Sequence, residues 1–207
     1  MLSEVPVVVR YGDISPEFDS AMRLEGVSAW DIETSGLDFR TDRIETCQIF
    51  VPGSGVEIVK LQGGVPERLY DALTSERLLK VFHYAPFDLR FMRYHWAARP
   101  RNVACTKLLS KIVEPGRESH SLAPLVRDYL GIELDKAQRL SDWSAANLSS
   151  EQIQYATNDV THLLELLRLL WKEAINTGVG DLVEQSFAYL PARVETDLLD
   201  SGDVFTY

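Results

Sequence analysis

The sequence predicts an α/β domain: a sheet drawn mainly from the first third of the chain, helices packed on its faces, and a helical C-terminal half. Two observations carry this. Short β-branched apolar runs separated by turn signals come first, and from Pro86 onward the apolar period changes from two to about 3.6. Strands followed by helices, with one further strand arriving after a helix, fit a sheet covered by helices. At 207 residues the chain has the length of one full-sized domain, and no linker, repeat or low-complexity tract divides it.

In order, Val5–Val9, Val27–Ile32, Ile44–Val51 and Val56–Leu61 read as strands, and Pro52-Gly53-Ser54-Gly55 as the hairpin loop between the last two. This order suggests an antiparallel meander. Val65–Thr74 reads as a helix and Leu78–His83 as a further strand. Helical spacing then covers Phe87–Trp96, Ala104–Val113, Leu122–Leu130 and Ser150–Trp171. Ser149 with Gln152 three residues later forms a capping box ahead of the last of these. The polar stretches Glu114–His120 and Glu133–Ser144 read as loops, long and charged enough to be functional.

Composition narrows the function. With 21 Lys+Arg against 31 Asp+Glu the formal charge is −10, and the pI is about 4.9. A protein that grips long duplex by neutralising phosphates is normally basic or striped with basic residues, and neither feature is present. At 45% hydrophobic and 25% charged, disorder is excluded. Cys47 and Cys105 cannot form a disulfide framework, and Met1–Arg10 lacks an export signal, so reduced thiols in a cytoplasm are expected. No segment approaches the roughly 20 apolar residues of a membrane span; Leu163–Trp171 is interrupted by Glu165 and Arg168.

Three carboxylate motifs stand out. Asp31 and Glu33 lie two apart at the end of an apolar run, on one face of a strand with Cα atoms about 7 Å apart. Such a pair is unfavourable unless a cation sits between them; taken alone it also fits a solvated strand end. Tyr155 and Asp159 are i and i+4 on one helix face, alone compatible with a simple hydrogen-bonded pair. Asp88 lies in the first turn of a helix opening near Pro86, alone an ordinary helix-start residue.

Together, Asp31-Ile32-Glu33-Thr34-Ser35-Gly36-Leu37, His83-Tyr84-Ala85-Pro86-Phe87-Asp88 and Tyr155-Ala156-Thr157-Asn158-Asp159 resemble, in order and over about 130 residues, the DEDD exonuclease superfamily in its tyrosine branch, which includes RNase D. Leu134-Asp135-Lys136 and Ser141-Asp142-Trp143 look like the RNase D loop. Cys105–Lys111 and the tail Phe187–Arg193 with Asp197-Leu198-Leu199 are similar to the compact NrnC-type diribonuclease group. Asp200-Ser201-Gly202-Asp203 departs from that group's pattern, and Asp13–Glu25 matches it loosely.

The resemblance implies an RNase H-like fold, a mixed five- to six-stranded sheet flanked by helices. Residues 1–207 would form a single exonuclease domain with no additional helical nucleic-acid-binding domain. It implies a phosphodiester hydrolase: a metal-dependent 3′→5′ exoribonuclease acting on short oligoribonucleotides, dinucleotides especially, and releasing nucleoside 5′-monophosphates. The alternatives are a broader RNase D-like exonuclease on structured RNA or DNA ends and a catalytically silent nucleic-acid-binding module. The cofactors implied are two divalent ions, Mg²⁺ or Mn²⁺; oxygen ligands select these, and no Cys/His cluster suggests zinc. Asp31 would bridge both ions, Glu33 and Asp159 would hold the ion that activates water, and Asp88 would act on the second. Tyr155 would orient the attacking water. For substrate contact, Thr34 is a candidate and Leu37 resembles an apolar wedge between terminal bases, with a core leucine as the alternative. His83 is a candidate for the scissile end or a structural group. Trp143 and Tyr84 are candidates for base stacking or core packing, and Lys107 and Lys111 for a phosphate or a solvated helix face. The expected partners are short RNA, or DNA, 3′ ends and no membrane. A homo-oligomer is expected, with rings of eight subunits in the resembled group. Bound divalent ions would make the centre of an acidic protein locally cationic, so the charge narrows the substrate to a small one instead of excluding nucleic acid.

Overall fold

The computed structural model describes residues 5–135, 141–199 and 204. Strands β2 (Val27–Thr34), β3 (Ile44–Val51) and β4 (Gly55–Lys60) form the expected antiparallel meander. The first strand, β1 (Val7–Tyr11), departs from it by pairing with β4 in parallel at the sheet edge. Helix α1 (Pro16–Glu25) lies between β1 and β2, and a parallel pair needs such a crossover. Ser15 caps α1 by accepting from the Phe18 amide, and Gly26 ends it in the left-handed conformation. The sequence reading missed this helix because only Phe18 and Met22 on it are buried. Gly55 is where β1 meets the hairpin: at φ +94°, a Cβ there would lie 2.2 Å from the Pro6 carbonyl oxygen.

Helix α2 (Glu67–Thr74) leads to β5 (Leu79–Phe82), which runs parallel to β2, and α3 (Ala85–Trp96) leads to β6 (Val103–Cys105), parallel to β5. Ala104 and Cys105, expected as the start of a helix, are thus strand, and α4 spans Thr106–Val113 with the Cys105 thiol at its N-cap. After α5 (Leu122–Leu130), the single helix expected over Ser150–Trp171 is two, α6 (Ser150–Thr161) and α7 (Leu163–Asn176), broken at His162 without Gly or Pro. Helix α8 (Gly180–Leu198) closes the described fold. The capping box of Ser149 and Gln152 is present at α6.

Among the described residues the sheet has six strands in the order β1-β4-β3-β2-β5-β6, flanked by helices in the RNase H-like arrangement. On one face Trp30, Ile32, Cys47 and Phe82 bury against α1, α2, α3 and the Leu190–Val194 stretch of α8. On the other, Ala29, Ile58 and Val81 bury against Ala156 and Val160 of α6. Helices α4, α5 and α7 form a third cluster around Leu109, Leu125 and Leu166. Among the described residues no helix is long and apolar enough to cross a membrane. Strand β5 pairs with β2 only over Val27–Ala29, so Trp30–Thr34 is paired on one side, with β3. That stretch of β2, free of β5, carries Asp31 and Glu33.

Candidate active site

Alternation along β2 sends Trp30 and Ile32 into the α3 layer and Asp31 and Glu33 toward α6. There they meet Asp159, and carboxylate oxygens of Asp31, Glu33 and Asp159 lie within 4.8 Å of one another. Asp88 arrives from the opposite layer, only 2% exposed. Its Oδ1 accepts from the Ile32 amide at 3.2 Å, satisfying backbone that β5 no longer reaches. The four carboxylates therefore converge from both sides of one strand.

Gln48 lies directly across from Asp31 in the β2–β3 register, and its Nε2 donates to Asp31 Oδ2 at 2.5 Å. Thr46, across from Glu33, donates in turn to Gln48 Oε1 at 3.1 Å, which fixes which way the amide points. Sequence reasoning missed Gln48. Its signal was a polar side chain inside a strand buried on both faces.

Burial raises the Asp31 carboxyl well above the usual range, repulsion from Asp88, Asp159 and Glu33 adds to it, and the Gln48 bond opposes it. Asp88 is likewise raised, mainly by burial, with backbone N–H groups opposing. Asp159 is pushed up to about 7 by burial, with the Tyr155 hydroxyl beside it opposing. Tyr155 itself is raised by burial and by the charges of Asp159, Glu33 and Asp31. Half-buried carboxylate oxygens at this spacing, with Asp31 and Asp159 both raised by burial, fit a divalent ion of the hard, oxygen-preferring kind.

The expected substrate residues separate. Thr34 bonds the Gly36 carbonyl, shaping the loop that carries Leu37. Leu37 is 82% exposed, which removes the core alternative. His83 Nδ1 lies 2.8 Å from Thr106 Oγ1, and burial, with Lys107 adding, pushes the ring down to about 3, so it is neutral at working pH. Trp143 is only 3% exposed and packs on Tyr155 with ring centroids 6.1 Å apart, so of its two alternatives the structure takes core packing. Tyr84 is exposed at the N-cap of α3 in the left-handed conformation, φ 73°, with Lys107 Nζ 4.2 Å from its ring centroid. These two, with Arg90, Lys111 and Arg193, help line a cavity of about 550 Å³ between α3, α4 and α8. Lys136 and Asp200–Asp203 lie outside the described residues.

Comparison with known proteins agrees with this geometry. Residues 17–175 match the family model described as 3′-5′ exonuclease. Over 118 residues the chain is 36% identical to Ribonuclease D of Zymomonas mobilis subsp. mobilis, covering 57% of this chain and 30% of that protein. The chain thus spans less than half the length of the curated relatives it matches. Among solved structures, Brucella melitensis NrnC bound to pGG superposes with a TM-score of 0.91 at 27% identity, over 99% of this chain and 100% of that one. The same protein with bound Mg²⁺ gives 0.88 at 28% identity, over 97% and 98%. A family match across three quarters of the chain, on a fold that brings Asp31, Glu33 and Asp159 together and sets Asp88 against the Ile32 amide between them, leads to one conclusion: the chain belongs to the 3′-5′ exonuclease family, in its RNase D-like, NrnC-type branch.

Proposed function

We propose that the protein is a divalent-metal-dependent 3′→5′ exoribonuclease that hydrolyses short oligoribonucleotides, dinucleotides especially, to nucleoside 5′-monophosphates. The observation that carries this is the convergence of Asp31, Glu33 and Asp159 within 4.8 Å, with a buried Asp88 and a half-buried Tyr155 beside them. Asp31, Glu33 and Asp159 would hold one Mg²⁺ or Mn²⁺, and Asp31 with Asp88 a second. Such ions supply an activated water, charge neutralisation on the phosphoryl oxygens and a stabilised leaving oxygen. Tyr155, raised far above the pH of the reaction, keeps its proton and orients the attacking water as a hydrogen-bonding group instead of acting as a base. Leu37, exposed on its loop, would wedge against the terminal base, with Thr34 beside it and neutral His83 near the scissile end. Trp143 serves the substrate indirectly, through Tyr155.

The short substrate is supported by the match, over 99% of this chain and 100% of that one, to Brucella melitensis NrnC, whose structure holds pGG. The acidic balance, −10, supports a substrate gripped at one site over a long polymer in a basic groove. We propose further that residues 1–207 form one domain, that the protein acts in the cytoplasm, where buried Cys47 and Cys105 stay reduced, and that it assembles as a homo-oligomer. Light scattering at micromolar concentration tests the last, and a monomer peak refutes it. Incubation with labelled two-, five- and twenty-nucleotide RNAs, with Mg²⁺ or EDTA, tests the activity. Preference for the dimer supports the proposal, equal rates at all lengths favour a broader RNase D-like exonuclease, and no cleavage at any length favours a binding module.

A further inference from the structure

Lys60 ends β4 with its side chain inside the protein, 6% exposed. It lies across from Thr46, which lies across from Glu33, so the three form one cross-strand row on the face that α6 covers. Its Nζ donates to the backbone carbonyl of Trp143 at 2.7 Å. Burying a lysine is costly compared with an apolar residue of similar volume, and the partners it meets here, the Trp143 carbonyl and the nearby Asp142 carboxylate whose proton affinity it lowers, both belong to the segment beside Tyr155, so the contact calls for a role beyond packing.

The carbonyl it holds belongs to the residue that packs on Tyr155. The Trp143 indole Nε1 has no partner among the described residues, so nothing polar anchors the ring itself. Its placement comes from the backbone on either side. Gln152 Nε2 donates to the Asp142 carbonyl at 3.0 Å and to Ser141 Oγ at 3.1 Å, tying the segment to the first turn of α6. Lys60 ties the next carbonyl to the sheet. The segment is thus clamped between helix and strand, and the clamped indole forms a wall of the Tyr155 ring.

We infer that Lys60 is a positioning residue for Tyr155, acting through the Trp143 carbonyl: it couples the end of β4 to the phenol that the proposed reaction uses. The inference rests on the exonuclease reading above. It assigns no substrate contact to Lys60 and no metal to its nitrogen. Its effect therefore belongs in kcat and not in KM or metal affinity.

The test compares Lys60→Met, Lys60→Arg and Tyr155→Phe, alone and with Lys60→Met and Tyr155→Phe combined, on a labelled diribonucleotide. Lys60→Met is expected to lower kcat about tenfold, the scale of one charged hydrogen bond, with KM and the Mg²⁺ dependence unchanged. Lys60→Arg, which keeps a donor of similar reach, is expected to retain most of the rate. In the Tyr155→Phe background Lys60→Met should cost almost nothing more, because the two act on one step. An equal loss in both backgrounds, or weakened Mg²⁺ binding, overturns the inference. Amide exchange provides a readout independent of activity. In Lys60→Met, residues 141–149 should exchange about tenfold faster while β2 and β3 keep their protection; unchanged exchange there overturns the latch. Absence of Mg²⁺-dependent cleavage by the unaltered protein defeats the exonuclease reading instead, and the exchange arm still decides whether Lys60 holds the segment.

Discussion

Metal affinity should depend steeply on pH, because two of the carboxylates proposed to hold the ion, Asp159 and Asp31, are raised by burial. Asp159, with an ordinary value of 3.8, is pushed up to about 7 in the folded protein. In the metal-free protein the folded state therefore binds more protons than the unfolded state between about pH 4 and 7. Stability from this group falls as pH rises through that window, by roughly 4 kcal/mol in total. A divalent ion displaces the proton and removes the penalty. Below pH 7 each proton displaced costs about tenfold in affinity per pH unit, so Asp159 alone weakens binding roughly 90-fold between pH 8 and pH 5. Asp31, raised as well, steepens this further. His83, lowered to about 3, works in the opposite direction: its contribution to stability is complete above the unfolded value and lost as pH falls toward 3. That contribution is common to the metal-free and metal-bound states and cancels from the difference between them. Calorimetric titration with Mn²⁺ at pH 5 to 8, in buffers of different ionisation enthalpy, reads both affinity and protons released. The expected result is at least one proton released near pH 6 and a slope that flattens in Asp159→Asn. Affinity constant across the range with no proton released would refute the reasoning.

Three further outcomes follow from particular contacts. Tyr155→Phe should lower kcat by about 10- to 100-fold with Mn²⁺ affinity kept, whereas Asp31→Asn should abolish metal-dependent turnover; equal loss of affinity in both, by calorimetry, refutes the division of labour. Leu37→Ala should change stability by no more than about 0.5 kcal/mol, because the side chain is exposed, yet raise KM for a diribonucleotide; a large drop in melting temperature would contradict its surface role. Gln48→Leu leaves Asp31 without its donor and should weaken divalent-ion binding by about 10- to 100-fold, read by the Mg²⁺ concentration for half-maximal rate.

What was legible in the sequence was what local spacing encodes. Asp31 and Glu33 share a strand face, Tyr155 and Asp159 a helix face, and Ser149 with Gln152 starts α6 as written. Pairing partners are not local. Nothing in Val7–Tyr11 says that it lies parallel to β4, because that depends on the path of α1, whose apolar face is only Phe18 and Met22 wide. The three-residue β6 is too short for its period to separate from the helix that follows. The break at His162 carries no Gly or Pro to announce it. Gln48 and Lys60 lie within strands read only as apolar runs, and their roles appear only when the register sets one across from Asp31 and the other in the row of Glu33. Trp143 depended on tertiary burial that its polar surroundings in sequence conceal.

The irregularity between Glu33 and Thr34, where the β2–β3 register shifts by one residue, bears on how this protein tolerates change. Up to that point every cross-strand pair is set two by two, so a single inserted or deleted residue in β2 before Asp31 would exchange the faces, sending Asp31 and Glu33 into the apolar layer and Ile32 into the acidic cluster. After it, Thr34 makes the last pair, with Ile44, and the chain turns into the loop bearing Leu37. Length variation is therefore forbidden on one side of the bulge and admissible on the other. The carboxylate geometry stays fixed while the loop proposed to touch the substrate is free to be reshaped.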